Sequence, residues 1–528
     1  MQAMWFWRGV TATAAATLVV ACGGGGGGGG GAIAALPVAS TVTLNGTATY
    51  VSVPNPSGAL VYAASTPKPI RGASVEIVDS ASTAVLATAT TDGNGAYSAV
   101  LPASTQVLVR VKAQMVQSGS GASWDVTVRD NTQSDAIYAL ESPSFSTGAA
   151  ALTRDVQAPS GWDGTRYATA RVAAPFAVLD TVYAAQAKML SVAPGTAFPA
   201  LKVFWSANNV PAVGNPALGQ IGTTSFTLSS GARVIYVLGK ENVDTDEYDA
   251  PVIAHEWGHY YQSAFSRDDS PGGSHALTDR LDRRVAFSEG WGNAWSGIAL
   301  GRSNYTDSVG QGQGQGANID LSASIAGPGW FREASIHSIL WRLNSQVGFQ
   351  PINDTLTSAA FKNGVAVTSI HPFTAAFGAA APGSVSALAS LLTSEQISAA
   401  PNDPFGAAET NDGGVGGANG VLPMYRTATV GTSTQACVTD SQGSGNKLGS
   451  YVYLRFSLPS AGTHTITVSG PSNADPDFAV YAGRLVDESL GFGTSETKAV
   501  SLPAGDNVLV INDYNNSSAS TCFNVSIQ

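Results

Sequence analysis

Residues 255–259 read His-Glu-Trp-Gly-His, and residues 288–293 read Ser-Glu-Gly-Trp-Gly-Asn. The first stretch is an H-E-x-x-H motif. Two residues four positions apart share one face of a helix, so His255 and His259 can bind the same metal ion. Glu256 stands beside that face, where a carboxylate can hold a water molecule at the metal and act as general base. The motif therefore predicts a helix that carries a metal centre.

A catalytic zinc site needs a third protein ligand and an open fourth position. Glu289 is the predicted third ligand, because residues 285–291 have the apolar spacing of a second helix. His275 lies between the two helices, after Gly272 and Gly273, and is the alternative third ligand. Two imidazoles and one carboxylate suit Zn²⁺, so one zinc ion is the expected cofactor.

The start of the first helix is marked by Asp249 as the expected N-cap and by Pro251 in the first turn. An acidic run, residues 244–249, leads into it. Such a run can bind calcium, but helix capping and the attraction between carboxylates and the helix dipole explain it more simply. Capping is therefore the preferred interpretation of this run, and a calcium site is the alternative.

An H-E-x-x-H helix, a short irregular segment and a helix carrying Glu-Gly-Trp resemble the gluzincin metallopeptidases, most of all fungalysin and more distantly thermolysin. In that family the two histidines and the later glutamate bind zinc, and the first glutamate is the general base. The resemblance implies these roles for the four residues at the matching positions: His255, His259, Glu289 and Glu256. It covers about residues 245–300 and is faint elsewhere.

One position departs from the family. Four residues after the ligand glutamate the family has aspartate, which accepts a hydrogen bond from a zinc-bound histidine, and this chain has Asn293. An amide can still accept that hydrogen bond but adds no negative charge, so the ligand is tuned more weakly.

Peptide hydrolysis at zinc also needs a hydrogen-bond donor for the negatively charged carbonyl oxygen, usually histidine or tyrosine. Residues 330–346 have helical spacing and carry His337, which is the nominated donor. The remaining candidates are His371, Tyr260 and Tyr261.

The N-terminus has the pattern of an export signal. An apolar run follows Arg8 and ends in Leu-Val-Val-Ala-Cys at residues 18–22, which resembles a bacterial lipobox. The resemblance implies a signal peptide over residues 1–21 and a lipid on Cys22. Residues 22–39 include an unbroken glycine run and are expected to be a tether. Gly23, and not an acidic residue, follows the cysteine, and the resemblance to Gram-negative lipoproteins then implies the outer membrane. We therefore expect an exported bacterial lipoprotein that meets the membrane through this anchor.

Composition excludes one class of function. Only 12% of residues are charged, the net charge is −11, and no basic cluster occurs, so nucleic acid is not an expected partner. If Cys22 carries a lipid, two of the three cysteines remain, and Cys437 and Cys522 are expected to form a disulfide in an oxidising compartment.

Both flanks show short alternating strands separated by turns. Residues 40–150 are expected to form a β-sandwich, and residues 69–75 with 91–97 resemble the carboxypeptidase regulatory domain. Residues 426–528 are also expected to form a β-sandwich, and residues 475–481 resemble the pre-peptidase C-terminal domain. A linker over residues 411–425 separates it from the central zincin-like domain, residues 151–410, which is expected to be mainly helical with an α+β content.

The sequence thus predicts a multidomain, lipid-anchored zinc metalloendopeptidase that acts on polypeptides. Residues 234–238 are expected to form a strand. The resemblance to gluzincins implies that it lies at the edge of a sheet, where a peptide can add as a further strand, and a strand in the core of the sheet is the alternative. The alternative function is that of a surface-binding or adhesion protein on a peptidase scaffold that has lost catalysis.

Overall fold

Helices dominate the middle of the chain, and β-strands dominate both sides of it. The structure, a computed structural model, describes residues 40–515 and 519–528. The expected signal peptide, Cys22 and the glycine tether lie outside the described residues. Residues Thr41–Gln528 form one compact unit.

The strands before the first α-helix form two sheets and begin a third. Their bounds are β1 (Thr41–Ser52), β2 (Thr66–Pro69), β3 (Ser74–Asp79), β4 (Val85–Thr90), β5 (Ala96–Pro102), β6 (Gln106–Lys112), β7 (Gln114–Gln117), β8 (Trp124–Asp130), β9 (Ala136–Ile137), β10 (Ala139–Glu141), β11 (Phe145–Ser146), β12 (Leu152–Thr153) and β13 (Val156–Ala158).

In the first sheet β1 pairs with β2, β5, β12 and β13, and the second has the order β10-β6-β3-β4 with β11 also on β6. Alternate residues of β1 and β6, such as Leu44 and Val109, are buried in one hydrophobic core that both sheets share. This period of two is the reason that the sequence shows these segments as strands.

A long helix and a third sheet follow: α1 (Ala174–Leu190), β14 (Leu201–Trp205), β15 (Ser225–Ser229) and β16 (Ala232–Val237). The sheet has the order β15-β16-β14-β8-β7, with β9 on β8, so it joins strands from before and after residue 150. β16 lies between β14 and β15, so the edge position implied for residues 234–238 is wrong and the alternative, a strand inside the sheet, is the one found. The antiparallel strand β15 occupies the edge instead.

The motif helices come next: β17 (Gly239–Lys240), β18 (Asp244–Thr245), α2 (Ala250–Phe265), α3 (Arg283–Leu300), β19 (Asn304–Val309) and β20 (Gln315–Asp320). The four strands form one sheet in chain order. Asp249 is the N-cap position of α2, but its side chain makes no cap hydrogen bond. Its carboxylate accepts instead from Asn55 Nδ2 at 2.5 Å and from the Ser308 backbone N–H at 2.8 Å.

The remaining helices are α4 (Glu333–Val347), α5 (Phe349–Thr357), α6 (Ala359–Lys362), α7 (Ile370–Ala380) and α8 (Val385–Ser394). Short 3-10 turns occur at Tyr62–Ala64, Pro216–Leu218, Gln311–Gln313, Pro382–Ser384 and Gly417–Asn419. Among the described residues no single helix is both long and apolar enough to cross a membrane, although the bent pair Ile370–Ala380 and Pro382–Ser394 together reaches that length and composition.

The C-terminal strands form two facing sheets, β21-β23-β28-β25-β26 and β22-β29-β24-β27. Their bounds are β21 (Arg426–Thr427), β22 (Thr434–Val438), β23 (Tyr451–Leu458), β24 (Gly462–Ser469), β25 (Pro476–Tyr481), β26 (Leu485–Ser489), β27 (Ser495–Leu502), β28 (Gly505–Asp513) and β29 (Thr521–Ile527). Buried residues of both sheets, including Leu454 and Phe523, share a core of their own. Cys437 and Cys522 form a disulfide that joins β22 to β29.

Candidate metal centre

Helix α2 presents both motif histidines on one face. The Nε2 atoms of His255 and His259 lie 3.0 Å apart. Their side chains are mostly buried, with 8% and 14% of the surface exposed, so the two nitrogens face a restricted volume. Two imidazole nitrogens this close form the beginning of a metal site.

Helix α3 brings the third donor. Oε2 of Glu289 lies 3.2 Å from Nε2 of His255 and 3.4 Å from Nε2 of His259. Zinc bonds of 2.0–2.1 Å in a tetrahedron set ligand atoms about 3.3 Å apart. Donor types and spacings therefore fit a zinc ion held by these three residues.

Glycines allow this close approach of α2 and α3. A Cβ atom at Gly292 would lie 2.7 Å from Cε1 of His255, so any side chain there would occupy the volume of the imidazole ring. A Cβ atom at Gly258 would lie 3.1 Å from the Cα of Gly292. Around this crossing Trp257 stacks on Trp295 with ring centroids 5.2 Å apart, which anchors the two helices in the core.

Each histidine has a partner on its other ring nitrogen. Nδ1 of His255 is 3.0 Å from Oδ1 of Asn293, and Nδ1 of His259 is 3.1 Å from Oε1 of Gln262. Ser288 Oγ also contacts Nδ1 of His259, at 3.3 Å. Such partners fix the tautomer and aim Nε2 at the metal. Sequence analysis missed Gln262, although its position three residues after His259 places both on one helix face.

Charge in the site is balanced between Glu289 and the imidazoles. Burial disfavours the charged form of His259, but the carboxylate of Glu289 outweighs burial and raises the pKa of His259 to about 10. Burial also opposes ionisation of Glu289, but His259 and the hydrogen bonds from His255 and His259 hold its pKa well below the usual range. A cation can replace the imidazole proton, because histidine binds metal in its neutral form.

Glu256 lines the same cavity as the donors and lies next to strand β15. Its Oε2 accepts a hydrogen bond from the backbone N–H of Phe226 at 2.7 Å. Burial, opposed by His255 and His259, raises the pKa of Glu256 above its ordinary value. The backbone contact fixes the orientation of the carboxylate.

These side chains open onto a cavity of about 920 Å³. Its lining combines the donors with the edge strand, residues 270–277 and Tyr305. Burial, together with the charges of Asp307 and Glu256, raises the pKa of Tyr305 well above its ordinary value, so its hydroxyl keeps its proton.

His275 also reaches the centre, beside Glu289 and not in its place. Nε2 of His275 is 3.2 Å from Oε2 of Glu289, and its Nδ1 is 2.8 Å from Oε2 of Glu333. Burial disfavours a charged His275, but hydrogen bonds to both carboxylates outweigh it and raise the pKa to about 10. Nothing in the local sequence around His275 indicated the contact with Glu333, which is 58 positions further along the chain.

The nominated oxyanion donors are placed elsewhere. His337 is 1% exposed, and burial lowers its pKa to about 4, but it does not line the cavity. His371 pairs with Glu409 at 3.1 Å. The hydroxyls of Tyr260 and Tyr261 donate to a carbonyl and an amide oxygen in the core. All four are buried, and none of them lines the cavity.

A second set of carboxylates lies on the same cavity. Oxygens of Asp244, Asp246 and Asp307 approach one another within 4.8 Å and could hold a metal ion. Burial, with the charge of Asp307 second, raises the pKa of Asp244 to about 7. Asp246 accepts a hydrogen bond from the Thr224 hydroxyl. Only part of the acidic run joins this set, because Glu247 forms a buried ion pair with Arg171 at 2.7 Å.

Comparisons with known proteins give partial structural likenesses. No family model matches the chain, and no curated protein matches it. The solved structures that are similar in part include the precursor of protealysin, a metalloproteinase from Serratia proteamaculans, with 7% identity over 54% of this chain and 90% of that chain and a TM-score of 0.31.

Two smaller structures are also similar in part. The pre-peptidase C-terminal domain of collagenase from Bacillus anthracis has 11% identity over 20% of this chain and 94% of that chain, with a TM-score of 0.17. CorA, a surface-associated copper-binding protein of Methylomicrobium album BG8, has 9% identity over 20% of this chain and 98% of that chain, with a TM-score of 0.16. TM-scores of this size do not establish a shared fold.

Proposed function

We propose that this chain is a zinc metallopeptidase that hydrolyses peptide bonds in polypeptides. The observation that carries the proposal is the convergence of three donor atoms, from His255, His259 and Glu289, at separations of 3.0, 3.2 and 3.4 Å. Glu256 lines the same cavity, so a carboxylate that is not a ligand is available for proton transfer. The resemblance of the two motif stretches to gluzincins supports the same function.

In this mechanism zinc, when bound, is a Lewis acid that polarises the carbonyl and makes water more acidic. His255, His259 and Glu289 hold the ion. Glu256 takes a proton from the water that attacks the carbonyl carbon, and then gives that proton to the leaving amine nitrogen. The backbone N–H of Phe226 keeps the Glu256 carboxylate aimed at the reacting groups.

Strand β15 is the element suited to bind a polypeptide. Among the described strands it pairs only with β16, so its other edge is open, and Ser225 and Phe226 on it line the cavity. An extended peptide that adds to this edge gains main-chain hydrogen bonds with backbone groups of β15 other than the N–H of Phe226, which donates to Glu256. The peptide bond opposite Glu256 is then the one that is cut.

The test is hydrolysis of casein by the purified chain, with zinc measured in the same samples. Glu256→Gln should lower the rate by about 10²–10⁴-fold and keep the zinc, because Glu256 moves protons and does not bind the metal. Glu488→Gln, the same chemical change on the exposed face of β26, is the matched control and should cleave like wild type. Equal rates for Glu256→Gln and wild type would contradict the mechanism.

The rival function is a surface-binding or adhesion protein that has kept the scaffold without the chemistry. It predicts a chain that binds zinc fully and cleaves no peptide. Retention of Glu256 beside all three donors argues against it, because a binding protein has no use for a general base.

We also propose that the chain is an exported lipoprotein of the outer membrane, anchored through Cys22. The lipobox-like residues 18–22 and the glycine run after them support this localisation. Palmitate labelling should mark the wild type but not Cys22→Ala, which should be released as soluble protein. An unlabelled wild type would contradict the anchor.

A further inference from the structure

His275 is the residue of the metal centre that the mechanism above leaves unused. It lies on an irregular segment between α2 and α3, on the wall of the cavity. Its side chain is 29% exposed, unlike the nearly enclosed ligands. A substrate in the cavity can therefore touch this imidazole.

Glu333 contacts one ring nitrogen of His275. It is the first residue of α4, is only 3% exposed, and lies 2.8 Å from Nδ1 of the imidazole. A carboxylate on one ring nitrogen fixes the orientation of the ring and leaves the other nitrogen for function. That other nitrogen, Nε2, lies 3.2 Å from Oε2 of Glu289.

His275 is nevertheless outside the ligand set. In the described part of the chain, the group of donor atoms that all lie within 4.8 Å of one another contains His255, His259 and Glu289, and His275 is not a member. The three-donor arrangement with one open position is typical of catalytic zinc. An imidazole beside that position can donate a hydrogen bond to whatever binds there.

The C-terminal region holds the His275 segment in place. Lys447 Nζ donates to the Ser274 carbonyl at 2.7 Å, and Asn446 Nδ2 donates to the Gly272 carbonyl at 2.9 Å. Gly273 has a φ of +100°, and a Cβ atom on it would lie 3.0 Å from Asn446 Nδ2, so only glycine fits. The segment that carries His275 is thus built against the C-terminal strands.

We propose that His275, held by Glu333 and by the clamp of Asn446 and Lys447, donates a hydrogen bond from Nε2 to the substrate carbonyl oxygen as that oxygen becomes negatively charged. The role rests on the proposed peptidase function. The hydrogen bond strengthens as charge develops, so it lowers the barrier more than it strengthens substrate binding. Glu333 and the clamp are positioning residues, and they make the C-terminal region part of the active site.

The experiment compares His275→Ala, His275→Asn, Glu333→Gln and Tyr305→Phe with wild type on a quenched fluorescent peptide chosen from the casein cleavage sites. Thr278→Ala is the matched control, because its exposed side chain lies on the same segment and outside the cavity lining. The readouts are kcat, KM and zinc affinity by competition with a chelator. Loss of one oxyanion donor should lower kcat by about 10²–10³-fold in His275→Ala.

The expected pattern has unchanged KM and zinc affinity in His275→Ala, partial recovery of kcat in His275→Asn, which keeps an N–H donor, and a smaller loss in Glu333→Gln. A fall in zinc affinity would overturn the donor role and make His275 a fourth ligand. A loss in Tyr305→Phe with none in His275→Ala would assign the role to Tyr305. A wild type that cleaves nothing would overturn the peptidase function itself, which is a different failure. The midpoint of thermal unfolding reports whether His275→Ala is folded, and His275→Asn repeats the test if it is not.

Discussion

Nδ1 of His255 donates a hydrogen bond to the side-chain oxygen of Asn293 at 3.0 Å, across the interface of α2 and α3. The contact leaves the lone pair of Nε2 directed at the place where His259 and Glu289 also point. Because the acceptor is a neutral amide, it orients the ring without adding negative charge behind it.

Replacement of Asn293 should therefore change metal affinity in two directions. Asn293→Asp adds the negative charge and should tighten zinc up to about tenfold, whereas Asn293→Ala removes the acceptor and should weaken it by about 10–100-fold. Competition with a chelator measures both. Asn515→Asp, a substitution at an exposed asparagine in the C-terminal region, controls for the change in net charge. Equal affinities in all variants would mean that this contact does not tune the ligand.

Loss of a ligand should empty the centre. His255→Ala and His259→Ala should retain no zinc after dialysis, and Glu289→Gln should bind it weakly, because a neutral amide is a poor zinc ligand. Elemental analysis of the purified proteins gives the ratio, expected to be one zinc per chain in wild type. His464→Ala, on β24 in the C-terminal sandwich, should keep the full content. Full zinc in both histidine variants would refute the site.

Asp249 should make the stability of the fold depend on pH. Burial, opposed by hydrogen bonds from Asn55 and Ser308, raises its pKa from 3.8 to about 8. Between those pH values the folded chain keeps a proton that the unfolded chain releases. The free energy of unfolding therefore falls as pH rises, by up to about 1.4 kcal/mol per pH unit. This stabilisation is fully present below about pH 4 and is lost above about pH 8.

Asp249→Asn isolates that contribution from the other buried carboxylates. The amide mimics the protonated acid and does not titrate. The midpoint temperature of thermal unfolding of the variant, measured relative to that of wild type, should therefore increase as pH rises. Thermal scans of both proteins at about pH 5 and about pH 8 give the difference between variant and wild type at each pH, and the test is whether this difference changes with pH. A constant difference between the two proteins would show that Asp249 is ionised throughout.

The disulfide should stabilise the C-terminal sandwich. Cys437 and Cys522 are separated by 85 positions, and closing a loop of that length is worth about 4 kcal/mol on the chain-entropy model. Cys437→Ser with Cys522→Ser should unfold at a lower temperature than wild type. Mass spectrometry should find no free thiol at either position in wild type purified without reducing agent. Free thiols there would contradict the pairing.

Local patterns carried most of what the sequence could predict. The spacing of His255 and His259 determines a shared helix face, and alternation of apolar residues marks strands such as β23 (Tyr451–Leu458) in the expected C-terminal sandwich. Period and spacing are properties of neighbouring residues, so they can be read without the tertiary structure.

Contacts between distant segments could not be predicted in the same way. The strand order that places β16 inside its sheet depends on β15, and sequence gives no measure of which strand lies outermost. The cap expected of Asp249 was lost to Asn55, which is 194 positions away. The contact of His275 with Glu333 could not be predicted either, because it depends on where α4 packs.

Gly292 has no side chain, and a substitution there makes it possible to separate the effects of catalysis from the effects of the shape of the metal centre. Glu256→Gln would silence the chemistry and leave the cavity intact, so it suits the capture of uncut substrates. Gly292→Ala would keep every donor and the general base, yet its single added carbon would lie 2.7 Å from the His255 ring and displace it. A cellular effect that survives the first change but not the second would belong to the architecture of the centre and not to proteolysis.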